Sequence, residues 1–110
     1  MTTVRFTDAK EFIEELERDR GMIERGIVRL TNHYMPSSLS PNIWHLSVIA
    51  SCKVGQDLVR FQRYCGDAWG KNSEDQNRPT RDKADEVQKE IEKACQELGL
   101  EVRPGIYEEG

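Results

Sequence analysis

The sequence predicts an α+β fold: a two-layer sandwich with two helices on one face of an antiparallel sheet of three to four strands, in the order α-β-β-β-α-β. Three observations carry this. Residues 43–65 alternate apolar and polar side chains on either side of a glycine-bearing turn, the signature of a β-hairpin. Two other stretches repeat apolar residues at helical spacing, each forming a single stripe. The chain has 110 residues, enough for one core and too few for two, so 1–110 is read as a single domain.

Val4-Arg5-Phe6 forms a short extended lead-in. Thr7 is placed to cap a helix over Asp8 to Arg20, with Asp8 favourable at its positive end and Ala9, Phe12, Ile13 and Leu16 as its apolar stripe. Gly21 ends it. From Ile27 to Tyr34 the period changes to two, with Val28, Leu30 and Tyr34 facing one way and Ile27, Arg29, Thr31 and His33 the other. Residues 36–42 contain two prolines and three serines and are read as a loop.

The next strand alternates cleanly: Trp44, Leu46, Val48, Ala50, Cys52 and Val54 against Ile43, His45, Ser47, Ile49, Ser51 and Lys53. After the turn, Val59, Phe61 and Cys65 continue the apolar face while Leu58, Arg60, Gln62 and Tyr64 oppose it. A two-residue loop at Val54-Gly55 would put Val48 opposite Phe61 and Ala50 opposite Val59. The same register puts His45 opposite Tyr64, Ser47 opposite Gln62 and Ile49 opposite Arg60. A first hairpin centred near Leu39 would put His33 beside His45, Thr31 beside Ser47 and Arg29 beside Ile49.

Gly66 to Pro79 has no periodicity and reads as a long loop. The second helix begins at Thr80, carries Ala84, Val87, Ile91, Ala94, Cys95 and Leu98 on one stripe, and ends in a Schellman motif at Gly99. Leu100 to Tyr107 adds a last strand, which Pro104 confines to a sheet edge.

The apolar fraction is 36% and the charged fraction 33%, which charged helices facing water explain without disorder. No apolar run approaches the roughly 20 residues that span a bilayer, and Met1 to Arg20 lacks a signal-peptide core. The three cysteines, Cys52, Cys65 and Cys95, have no CxxC spacing. They read as small buried residues of a reducing compartment, so a cytoplasmic location is expected, with no metal or cofactor. Net charge is −4, yet residues 26–66 carry four basic side chains and one acid. The sheet is therefore mildly positive between negative helices.

Chemistry concentrates on the face opposite the apolar one. His33, His45 and Tyr64 would form a row suited to acid–base work near neutral pH. Arg29 and Arg60, with Gln62, would receive a phosphate or carboxylate. Ile27, Ile49 and Leu58 would make an apolar patch fit for a protein partner or a second copy of the chain. Trp69 is read as a lid over the core edge, with an exposed partner anchor as the alternative. All these polar residues could equally be the solvated face of an antiparallel sheet. Phosphate-binding glycine loops, zinc spacings and nucleophile elbows are absent.

The α-β-β-β-α order over residues 7–98 resembles that of the double-stranded RNA-binding domain, with Arg78, Arg81 and Lys83 near the start of the second helix. That resemblance implies RNA as a partner. Asp82 and Asp85 interrupt the basic cluster and the first helix is acidic, which opposes contact with a phosphate backbone. The leading expectation is a small binding or regulatory protein engaging a protein partner, or itself as a homodimer, through its open sheet face. A small acid–base enzyme acting on an anionic molecule is the alternative, and RNA binding the lesser one.

Overall fold

The computed structural model describes residues 2–70 and 74–107, Glu74 as backbone alone. Five strands and two helices follow in the order β1 (Thr3–Phe6), α1 (Ala9–Arg18), β2 (Ile27–Pro36), β3 (Ile43–Val54), β4 (Asp57–Trp69), α2 (Glu74–Glu97) and β5 (Glu101–Pro104), with two short 3₁₀ turns before β2. The class is α+β, as expected, but the sheet has five strands and is mixed. Its order is β1-β4-β3-β2-β5. The antiparallel meander β2-β3-β4 is flanked by β1, parallel to β4, and by β5, parallel to β2. Three to four antiparallel strands is thus corrected: the lead-in is itself a strand at one parallel edge, α1 carries the chain from it to β2, and α2 carries the chain to the other parallel edge, β5.

The apolar stripes of both helices meet the apolar face of the meander. Phe12, Leu16, Val87, Ile91 and Cys95 share one buried cluster with Val28, Leu46, Val48, Cys52, Val59 and Phe61. Phe12 sits between two aromatic neighbours, its ring centroid 5.6 Å from that of Phe61 and 6.2 Å from that of Phe6. The cysteines are free, and burial pushes the Cys52 and Cys95 thiols up to about 12, so neither is a thiolate nucleophile at neutral pH.

Asp8, not Thr7, caps α1, accepting the Glu11 N–H at 3.1 Å. The Schellman ending of α2 forms as read: Leu100 N–H donates to Cys95 O at 2.9 Å, Gly99 N–H to Gln96 O at 3.0 Å, and Gly99 takes a φ of 77°. The start of α2 differs. It begins at Glu74 and runs through Pro79, so most of the expected loop is strand or helix; Lys71, Asn72 and Ser73 lie outside the described residues. A tertiary contact holds this early segment. The buried Asn77 amide accepts from Trp69 N–H and donates to Trp69 O, each at 3.1 Å, fastening α2 to the end of β4.

Candidate functional site

Both hairpins pair two residues away from the expected register. The β3–β4 loop is Gly55-Gln56, with Val54 opposite Asp57 and Ala50 opposite Phe61. Gly55 takes the first central position at a φ of 60°, as a type II′ turn requires. The expected Val54-Gly55 loop fits that geometry poorly, because β-branched Val54 resists positive φ. In the first hairpin, Thr31 faces Ile49, His33 faces Ser47 and Met35 faces His45. A slip of two leaves every side chain on its expected face, so the apolar face stands while the cross-strand neighbours change.

A β-bulge then alters the polar face. Ser47 pairs with Tyr64 but Leu46 pairs with Gly66, leaving Cys65 as the extra residue. Beyond it the parity of β4 reverses, and Asp67 arrives on the face that Tyr64 occupies, opposite His45. His45 Nδ1 lies 2.7 Å from Asp67 Oδ1, and the Tyr64 hydroxyl donates to the same oxygen. The His45 and Tyr64 rings meet edge to face at 5.9 Å. The expected His33, His45 and Tyr64 row is therefore replaced by His45, Asp67 and Tyr64, with His33 one row away opposite Ser47.

An ionised carboxylate only accepts, so Asp67 fixes the His45 proton on Nδ1 and leaves Nε2 as the basic nitrogen of the neutral ring. The Tyr64 hydroxyl and then His45 hold the Asp67 carboxyl below the ordinary carboxylate range, and the same bond raises the Tyr64 phenol. Because Asp67 is depressed on folding, its contribution to stability is present above the unfolded pKa and is lost as pH falls through the folded one. Tyr64→Phe is expected to move the Asp67 carboxyl back up toward its ordinary range, which a ¹³C NMR titration of that carboxyl would read. Among the described residues no group of three or more His, Cys, Asp and Glu is placed to hold a metal ion.

Another part of this face is covered. After β5 the chain turns back across it: Gly105 N–H donates to Leu30 O at 3.2 Å and Tyr107 N–H to Ser51 Oγ at 3.4 Å. The Tyr107 ring lies 5.7 Å from the Arg29 guanidinium and 5.1 Å from the Lys53 ammonium. Arg29 also donates to Pro104 O at 3.1 Å, which commits it to the tail. It does not join Arg60, since Ser51 of β3 lies between them in register. Arg60 does meet Gln62, donating to its Oε1 at 3.2 Å.

Ile49 and Leu58 are fully buried and Ile27 is 4% exposed, so the expected apolar patch is no surface in this chain. Most of the large exposed apolar groups among the described residues lie elsewhere, at one end of β2, β3 and β4. Tyr34, Trp44 and Trp69 are 43%, 37% and 45% exposed, and Met35 and Leu39 are exposed at the same end; by register Tyr34 and Trp44 lie on the helix side of the sheet and Met35 and Trp69 on the other. Trp69 thus belongs to β4 and is half-exposed, not a lid packed in a loop. Tyr34, Trp44 and Trp69, with Asn77 and Arg81, line a cavity of about 400 Å³.

The chain matches no family model, no curated protein and no solved structure. Its site is therefore read from its own geometry. Two of the basic residues that suggested RNA are tied to acids within α2, Arg78 to Asp75 at 2.9 Å and Lys83 to Glu86 at 3.7 Å. Asp67 and Trp44 were missed as functional residues for different reasons. The bulge that brings Asp67 into place hid it, and Trp44 followed the core alternation to the end of the sheet, where it is 37% exposed. The one local hint was the glycine at 66, a residue that marks bulges when it interrupts a strand.

Proposed function

We propose that this protein binds another protein through the exposed aromatic end of β2, β3 and β4. One observation carries the reading. Of eight large hydrophobic side chains exposed among the described residues, five (Tyr34, Met35, Leu39, Trp44 and Trp69) belong to this end. Patches of that kind on a water-facing surface mark interaction sites. Tryptophan and tyrosine dominate binding hot spots because they bury large rigid areas at small entropic cost, and methionine adapts to its partner's shape. The Asn77 clamp holds the backbone of Trp69, so its recognition segment is preorganised. Among the described residues no helix is long and apolar enough to cross a membrane.

The experiment compares affinity capture by the native chain with capture by a Trp44→Ala, Trp69→Ala double variant. Each truncation of a hot-spot tryptophan costs about 2 kcal/mol or more. A genuine partner is therefore retained by the native chain and lost by a double variant of unchanged circular dichroism. Equal recovery by both chains would contradict the proposal, and light scattering over a concentration series reports whether the partner is a second copy.

The His45–Asp67 contact favours a second reading, an acid–base enzyme for an anionic molecule with His45 as the base. The two separate cleanly. Asp67→Asn would impair such a reaction while sparing partner capture, and the tryptophan variant would do the reverse.

A further inference from the structure

We propose that the outer edge of β2 pairs antiparallel with the same edge of a second copy of the chain, joining two sheets across a two-fold axis. β5 pairs with β2 only from Ile27 to Leu30, and Gly105 extends that contact to the Leu30 carbonyl. β2 itself runs on to Pro36, with β3 on its inner side and, among the described residues, no strand on its outer side. The opposite edge of the meander is managed differently. Where β4 outruns β1, α2 takes the backbone groups of its far end: the Thr80 hydroxyl donates to Asp67 O, and the Asn77 amide holds both Trp69 N–H and Trp69 O.

The register decides which groups face outward. In an antiparallel pair, alternate residues exchange bonds with the neighbouring strand and the others turn away from it. Ser37 N–H donates to Ile43 O, in step with Arg29 opposite Ser51, so Thr31, His33 and Met35 bond to β3. Asn32, Tyr34 and Pro36 therefore turn their backbone groups outward, as Leu30 does toward Gly105. Exposed edges commonly carry a charge or a bulge that blocks a further strand. Here the β2–β3 register is unbroken, and residues 30–52 hold no Asp, Glu, Lys or Arg in a chain that is 33% charged.

The pattern of donors selects the occupant. With the two-fold axis at Tyr34, each Tyr34 exchanges N–H and C=O with its counterpart, and each Asn32 N–H donates to Pro36 O of the other copy. One bond of the ladder is missing on each side, because proline has no N–H to give. Its acceptor would have been Asn32 O, which already accepts from the Thr31 hydroxyl at 3.2 Å. The edge is thus complementary to itself, and the pairing stays clear of Gly105 beside Leu30. Tyr34 and Met35, both exposed, add apolar contact on the two sides of the joined sheet. The pairing uses the backbone of β2 and neither tryptophan, so it goes beyond the aromatic surface and does not rest on it.

Light scattering of the whole chain over a concentration series is expected to show a monomer–dimer equilibrium. Tyr34→Pro removes two outward N–H donors per dimer and none from the β2–β3 ladder, and it should raise the dissociation constant about thirtyfold. The Trp44→Ala, Trp69→Ala double variant leaves β2 untouched and should dimerise as the native chain does, which separates this edge from the aromatic surface. Register is read by oxidation. His33 of one copy would face Met35 of the other, so a mixture of His33→Cys and Met35→Cys chains should form a disulfide-linked pair. Each variant alone should cross-link no more than the native chain. If Tyr34→Pro fails to fold, the cysteine mixture decides. A chain monomeric up to about 1 mM, a dimer indifferent to Tyr34→Pro, or a mixture that cross-links no better than its components would overturn the proposal.

Discussion

Phe12→Ala is expected to cost about 3–5 kcal/mol of folding stability, the range for deleting a buried aromatic ring from a packed core. Phe12 is fully buried on α1, and its contacts with Phe6 and Phe61 tie that helix to β1 and β4. Alanine keeps the helix propensity and removes the ring, so the loss lies in packing and not in the backbone. Domains have total stabilities of roughly 5–15 kcal/mol, so this single change brings the chain close to its unfolding threshold. Urea denaturation followed by circular dichroism would measure it. A shift under about 1 kcal/mol would mean that α1 is not seated on the sheet as described.

Gly66→Ala is expected to destabilise by about 2–3 kcal/mol, lowering the melting temperature by on the order of 10 °C. Two effects act together. Gly66 takes a φ of 141°, a conformation side chains rarely adopt, and a Cβ built there would stand 2.8 Å from Thr80 Oγ1. Thr80 cannot swing away freely, because its hydroxyl donates to Asp67 O at 2.8 Å and its backbone belongs to α2. The bulge that carries Asp67 to His45 is thereby coupled to the helix. Adding Thr80→Ala should recover part of the loss by removing the collision while the backbone strain persists. Recovery to the native melting temperature would show that φ strain plays no part.

The elements differ in how plainly their residues announce them. The hairpin's two faces were legible because alternation depends on parity, and both register slips are even. Pairing partners were not, since turn type decides them and Gly55 could occupy either central position of a two-residue loop. Short β1 and β5 join the sheet by parallel pairing across long separations, which no local pattern records. The first turns of α2 are polar and contain Pro79, and their helical state depends on a bond from Asn77 to a distant strand. Arg60, Gln62, His45 and Tyr64 were correctly placed on one face. No local pattern records that Ile49 is fully buried, or that the tail after β5 folds back over Arg29, Ser51 and Lys53 on its face.

The proposed binding surface is the end of the sheet that carries Tyr34, Trp44 and Trp69, bordered by the first turns of α2. The most direct measurement is a hydrogen–deuterium exchange footprint of the chain with the protein it captures. New protection is expected in residues 33–46 and 64–70, with the outer faces of α1 and α2 unchanged. Protection confined to those helices, or to the tail beyond β5, would contradict that surface.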